Sequence, residues 1–398
     1  MSDTRGSIAA LGALPEAEES AEFALGADIS SLLALEDSGV VFRDPSGTPR
    51  DLCELLAAQG VTHIRVRVWN HPYDAKGRGF GGGTMDVPRA VELGRRATAA
   101  GMGVLVNFHY SDFWADPAKQ RAPRAWEGLD PAGVARAAGE FTREALTAFR
   151  DAGVNVWMVQ VGNETTTGVA GLTRWEHMAA VFSAGAAAVR EVTPHALVAV
   201  HVTNPEVEGS YARYAAQLDA AGVDYDVFAS SYYPFWHGTL ANLTAQLTHV
   251  ATTYGKRVMV AETSWPHALT DPDATGTAIV TADLTTAYPI SPAGQAQAFA
   301  DVVRAVRAVG EAGIGVFYWE PAWLPVGPPE EAAANRVLWN AHGSGWASAY
   351  AGDYDPSAAG DAWGGATWAN QALFAADGTP LSSLGIFAAQ APHTQDTQ

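Results

Sequence analysis

The chain has 398 residues, 48% of them hydrophobic and 17% charged, which is enough apolar material for a large core and too much for a disordered chain. Its formal net charge of −19 excludes nucleic acid and anionic membrane surfaces as expected partners, since both favour a basic face. A neutral polymer suits such a surface better than an acidic one.

The N-terminal stretch "MSDTRGSIAALGALPEAEESAEF" lacks the basic start and long apolar run of a secretory leader. No later segment reaches the roughly 18 continuous apolar residues that span a bilayer. As written, the chain is therefore expected in the cytoplasm, with residues 1–22 and 391–398 as tails around one domain at 23–390. "FALGADIS" (23–30) reads as a first strand. The lone cysteine, Cys53, lies in the apolar helical stretch "LCELLAAQG". It rules out a disulfide framework and reads as buried filler rather than a nucleophile.

One pattern then recurs: an Ala-rich amphipathic helix ends near a Gly, and a β-branched strand follows at once. The joints are "AAQGVTHIRVRVWN" (57–70), "AAGMGVLVNFHYSD" (99–112) and "DAGVNVWMVQVGNE" (151–164). "AAGVDYDVFASSYYP" (220–234), "TYGKRVMVAETSWP" (253–266) and "EAGIGVFYWEPAW" (311–323) continue it. "HALVAVHVTNP" (195–205), after a helix at about 174–193, completes eight strands. Alternation of this kind predicts a parallel sheet with helical crossovers. No GxGxxG follows the first strand, and the Gly-rich "GRGFGGG" (77–83) lacks the Lys-Ser/Thr of a phosphate cradle. The expected fold is α/β: a single (β/α)₈ TIM barrel. A long loop after strand eight, about 324–372, is expected either to wall the substrate groove or to cover a barrel edge.

In such a barrel, chemistry sits where the strands end. Here those ends collect Asp28, Arg65, Arg67, His109, Asp112, Asn163, Glu164, Asn204, Tyr233, Glu262, Trp319 and Glu320. Glu164 and Glu262 each close a strongly apolar strand, the fourth and the seventh, on opposite sides of an eight-stranded ring. Facing carboxylates suit glycoside hydrolysis, one protonating the leaving oxygen while the other attacks the anomeric carbon. The competing reading is a pair of rim acids in ion pairs with Arg65 or Arg67. Six tryptophans, Trp69, Trp114, Trp265, Trp319, Trp323 and Trp346, fall on or just past strand ends, where indoles stack on pyranose faces. His109, Asp112 and Asp116 lack the HxH or HExxH partner of catalytic zinc. Ser30, Ser31 and Ser264 lack the GxSxG of a serine hydrolase.

At these residues the sequence resembles glycoside hydrolase family 53, the endo-β-1,4-galactanases. The likeness rests on "GADISSLLALEDSG" (26–39), "IRVRVWNHPYD" (64–74), "HYSDFWADPAKQRAPRAW" (109–126) and "VQVGNE" (159–164). "SSYYPFWHGTL" (230–240), "VAETSWP" (260–266) and "VFYWEPAWLPVG" (316–327) extend it, so that it runs from about Gly26 to Phe387. Asn-Glu and Glu strand ends are common to retaining barrel glycosidases, whereas "HYSDFWADP" and "GADISSLL" narrow the likeness to galactanases.

The resemblance implies that Glu164 is the general acid/base and Glu262 the nucleophile. It implies that Asn163 binds the sugar 2-hydroxyl and that Arg65 and Tyr233 hold the nucleophile ionised and aligned. Tyr232 could replace Tyr233, and Arg67 could replace Arg65, because alternation puts both arginines on one strand face. His109, Asp112, Trp114, Trp319, Trp323, Trp346 and Asp28 complete the substrate-binding set. The implied substrate is β-1,4-galactan or its oligosaccharides, cut internally by a monomeric enzyme that requires no cofactor. Mannan, xylan, or a non-catalytic carbohydrate-binding barrel are the alternatives. Bacterial relatives often carry a calcium loop after the seventh strand; here "DPDATGTAIVTAD" (271–283) keeps Asp271 and Asp273 as candidate ligands but has Thr275 and Thr277 next. Relatives are usually secreted, which implies an extracellular site if a leader was removed.

Overall fold

The computed structural model describes residues 23–279, 287–358 and 364–391. The tail expected at 1–22, the tail expected at 391–398 apart from Ala391, and the last part of the acidic loop (280–283) lie outside the described residues.

Eight parallel strands close into a barrel in sequence order: β1 Ala24–Asp28, β2 His63–Val68, β3 Gly103–Phe108, β4 Val156–Val161, β5 Leu197–Val202, β6 Val227–Ser231, β7 Arg257–Thr263 and β8 Gly313–Trp319. Helices α1 (Leu32–Asp37) and α2 (Leu52–Ala58) join β1 to β2. One helix each then bridges successive strands: α3 (Val87–Ala99), α4 (Pro131–Asp151), α5 (Trp175–Val192), α6 (Ser210–Ala220), α7 (Leu240–Tyr254) and α8 (Pro292–Arg307). After β8, α9 (Ala332–His342) lies within the long loop, and α10 (Ile386–Gln390) follows it.

The strands read as near-continuous apolar runs because both faces are covered. Helices pack outside the ring in one large core, while Leu105, Met158, Met259, Phe317 and several alanines form a second cluster drawn from the strands alone. That smaller cluster fills the interior. The helix-ending glycine before β8 is Gly310, with φ +87°, and not Gly313 as the joint pattern suggested. Gly313 is small for a different reason: a Cβ there would stand 2.1 Å from the carbonyl oxygen of Val306.

Two details of the ring position the site. The β6–β7 pairing shifts register between Ser230 and Ser231, and the β7–β8 pairing shifts between Val260 and Thr263. Irregularities of this kind re-aim side chains, and Glu262 lies between them. At the end of β4, Gly162 turns the chain and Glu164 takes φ +46°, a left-handed conformation that a non-glycine residue holds only when its surroundings impose it.

Candidate active site

The strand ends open on a cleft of about 370 Å³ lined by Asp28, Arg65, His109, Trp114, Asn163, Glu164, Tyr233, Glu262, Trp319 and Trp346. Arg67, Asp116 and Asn204 line it as well, so thirteen of the residues singled out from sequence share one cavity.

Arg65, fully buried on β2, organises its floor. It donates to Asp28 (2.9 Å), to Gln160 (2.7 Å), to Asn163 Oδ1 (2.8 Å) and to Glu262 Oε1 (2.8 Å). The other oxygen of Glu262 accepts the Tyr233 hydroxyl at 3.0 Å. Neighbouring groups take other roles. Tyr232 donates to the carbonyl of Gly238. Arg67 pairs with Glu320 at 2.7 Å and donates to the carbonyl of Gly82. The alternatives left open by strand periodicity thus separate: Arg65 and Tyr233 contact Glu262, while Arg67 belongs to a second ion pair. The pairing reading also holds in part, since Glu262 does pair with an arginine.

The carboxyls of Glu164 and Glu262 differ in their company. Burial raises the proton affinity of both, but on Glu262 the Arg65 guanidinium and the Tyr233 hydroxyl oppose that rise. Among the described residues, Glu164 has no cation in hydrogen-bonding contact. Burial and the charge of Glu262 push it up to about 8. A buried pair carrying one proton therefore places the negative charge on Glu262 and the proton on Glu164. His109 is held neutral by burial and by the nearby arginines. Its Nδ1 accepts the Ala115 N–H at 3.1 Å, which leaves the proton on Nε2.

Trp114 forms the centre of an aromatic wall. Trp346 stacks on it with centroids 4.5 Å apart, and the Arg67 guanidinium lies 4.4 Å from its ring centroid. Gly82 permits this packing, because a Cβ there would meet Trp114 and Trp69 at 2.7 Å. The Gly-rich loop that looked superficially like a phosphate cradle is a seat for indoles.

Several expectations need correction. Asp112 is buried outside the cleft. One of its oxygens accepts the His71 N–H at 3.0 Å, the other the Arg124 N–H at 2.9 Å, so its role is to pin two loops. Trp323 is wholly buried behind the wall and donates to the carbonyl of Ser344; it backs the wall without lining the cleft. Trp69 and Trp265 are likewise fully buried. Sequence reasoning missed Trp236, which is 45% exposed at the cleft edge, together with His237 and Trp368. The first two sit in the stretch "SSYYPFWHGTL", whose aromatic density was a usable signal. Trp368 comes from the loop after β8, as does Trp346, so that loop walls the cleft.

Asp271 and Asp273, the candidate calcium ligands, are engaged within the chain. Asp273 is fully buried; its Oδ1 accepts the Thr275 hydroxyl at 2.6 Å and its Oδ2 the Ala366 N–H at 2.8 Å. Asp271 accepts the N–H groups of Asp273 and Gly276. Calcium requires six to eight oxygens, and among the described residues no three His, Cys, Asp or Glu side chains come together to hold a metal ion.

Known proteins resemble this chain in sequence and fold. Residues 24–387 match the family model for glycosyl hydrolase family 53. The sequence is 54% identical over 366 residues to the endo-beta-1,4-galactanase of Bacillus subtilis, covering 92% of this chain and 85% of that one. It is 32% identical to the arabinogalactan endo-beta-1,4-galactanase A of Aspergillus niger, covering 82% and 93%. The solved GH53 catalytic domain of Ignisphaera aggregans superposes with a TM-score of 0.82 at 33% identity, covering 92% of this chain and 95% of that one.

Proposed function

The chain belongs to glycosyl hydrolase family 53, and from that premise we propose that it hydrolyses internal β-1,4-D-galactosidic bonds of galactan and type I arabinogalactan, with retention. A Glu262 oxygen attacks the anomeric carbon while Glu164 gives its proton to the departing glycosidic oxygen; the carbon–oxygen bond to the leaving sugar breaks. Water then attacks the same carbon and gives its proton to Glu164, and Glu262 departs as the carboxylate. Two inversions leave the β configuration.

The observation that carries this reading is the asymmetry of the pair. Glu262 is pinned by Arg65 and Tyr233 at 2.8 and 3.0 Å, whereas no cation among the described residues pins Glu164. The same asymmetry lets Glu164 change roles. Once Glu262 is esterified it is neutral, so its repulsion of a charged Glu164 disappears and Glu164 can ionise to serve as base. Asn163 keeps one amide hydrogen on the carbonyl of Ala115 and has a second to offer a sugar hydroxyl. Trp114, Trp319 and Trp346 supply apolar faces for pyranose rings.

Proton NMR of linear galactan during the first turnovers tests linkage, position and stereochemistry together. We expect mixed oligosaccharides whose new reducing ends are β before mutarotation. First-formed α ends, release of galactose alone, or faster turnover of mannan or xylan run in parallel would overturn the proposal.

A further inference from the structure

Behind Glu164 lies a buried hydrogen-bonded pair that the mechanism above does not use. His201, at the end of β5, places Nε2 2.9 Å from the hydroxyl of Ser231, the last residue of β6. Its Nδ1 lies 3.3 Å from the N–H of Glu164 and 3.2 Å from Asn163 Oδ1. Both residues are wholly buried.

The surroundings decide the tautomer. Asn163 Oδ1 already accepts from Arg65 at 2.8 Å and Asn107 at 3.0 Å, which fills its two lone pairs. The Glu164 N–H, by contrast, needs an acceptor, because an unpaired backbone donor beside a buried site is costly. His201 is kept neutral by burial and by Arg65, so its single ring proton resides on Nε2 and is donated to Ser231. The Ser231 oxygen is then occupied as acceptor, and its own hydrogen is free for the Glu164 carboxyl.

Resting on the assignment of Glu164 as acid/base, we propose that His201 and Ser231 are positioning residues that aim one hydroxyl hydrogen at that carboxyl through both halves of the reaction. A donor of this kind favours the charged form. It counteracts burial and Glu262, the two main causes that hold the Glu164 proton on. Other ionisable groups facing Glu164 are Asp116 from the loop after β3, Arg65 from β2, Tyr211 from α6 and Tyr233 after β6. Among these neighbours the Ser231 hydroxyl is a neutral group, and a hydrogen bond from it lowers the proton affinity of the Glu164 carboxyl.

The test uses the full chain and soluble linear galactan, with kcat/KM followed against pH. Ser231→Ala should move the alkaline limb upward by about one pH unit, the size expected for losing a hydrogen bond to a charged group. Ser231→Thr, which keeps the hydroxyl, should hold the limb near its original position. The imidazole nitrogen shifts of His201, read by NMR, should show an unprotonated Nδ1. A uniform loss of activity in Ser231→Ala with an unmoved limb overturns the proposal, as does a protonated Nδ1. Glu164→Gln separates the two layers. If its residual activity loses the alkaline limb while Ser231→Ala leaves that limb in place, the pair alone is wrong; if it keeps the limb, the assignment of Glu164 falls too.

Discussion

Ser231 and Tyr233 lie two residues apart, yet their hydroxyls address different carboxyls. Tyr233 donates to Glu262 at 3.0 Å, and its phenol is itself held protonated by burial and by Glu262, so it acts as a fixed donor. Removing that donor leaves Arg65 as the main stabiliser of a charged Glu262. Tyr233→Phe should therefore raise the proton affinity of Glu262 and move the acidic limb of kcat/KM upward by about one pH unit. At the optimum the rate should fall by about 10- to 100-fold, less than for an oxyanion-hole donor because Arg65 remains. A pH–rate profile on linear galactan decides it: an acidic limb that stays in place would remove Tyr233 from the support of the nucleophile. Arg65 is a poorer choice for such a test, since its loss also strands Asp28, which is wholly buried, as an uncompensated charge.

At the scale of elements, the turn after β7 and the loop after β8 are joined by Asp273, whose oxygens serve Thr275 on one side and the Ala366 N–H on the other. The carboxylate acts as a clasp between two segments. Asp273→Ala should cost about 2–4 kcal/mol, from several lost hydrogen bonds to one charged group, visible as a lower Tm. EDTA, in contrast, should leave the Tm of the unmodified protein where it is. A rise of several degrees on adding calcium would show the clasp to be a metal loop instead. This element also shows where sequence reading stops. The eight strands were legible because runs such as "RVMVA" and "VWMVQV" are apolar on both faces, and the helices because Ala-rich stretches end at Gly. Glu164 and Glu262 were legible because a carboxyl at the end of such a run needs a reason. Depth was not legible. Asp112, Trp323, Trp69 and Trp265 stand at strand ends as the cleft residues do, but whether a rim side chain turns into the cleft or behind its wall depends on loop packing. Nor does spacing reveal that Asp273 satisfies a distant backbone N–H, because that depends on Ala366, 93 positions away.

Across the whole molecule, the barrel keeps several carboxyls in a medium that disfavours their charge. Burial pushes Glu164 up to about 8 and Glu320 up to about 7, the latter in spite of Arg67 beside it. Unfolded, both would titrate near 4.5. At these two positions the folded chain thus holds protons that the unfolded chain releases between roughly pH 4.5 and 8. The sign follows from linkage: the stability these two groups contribute is fully present below their unfolded values and is lost as pH rises through the folded ones. The reaction requires that arrangement, since an acid with an ordinary carboxyl affinity would have no proton to give near neutrality. Stability is therefore traded for function at one named position. Glu164→Gln removes the larger contributor without changing side-chain shape. Its Tm should match that of the parent near pH 5 and exceed it by about 2 °C at pH 8.5, since each tenfold rise in proton affinity that survives in solution costs the ionised fold about 1.4 kcal/mol. Melting curves of the two proteins across pH 4.5–9 provide the measurement. Parallel curves would mean that Glu164 ionises in the folded state as easily as in water, and the charge asymmetry assigned to the pair would fail with it.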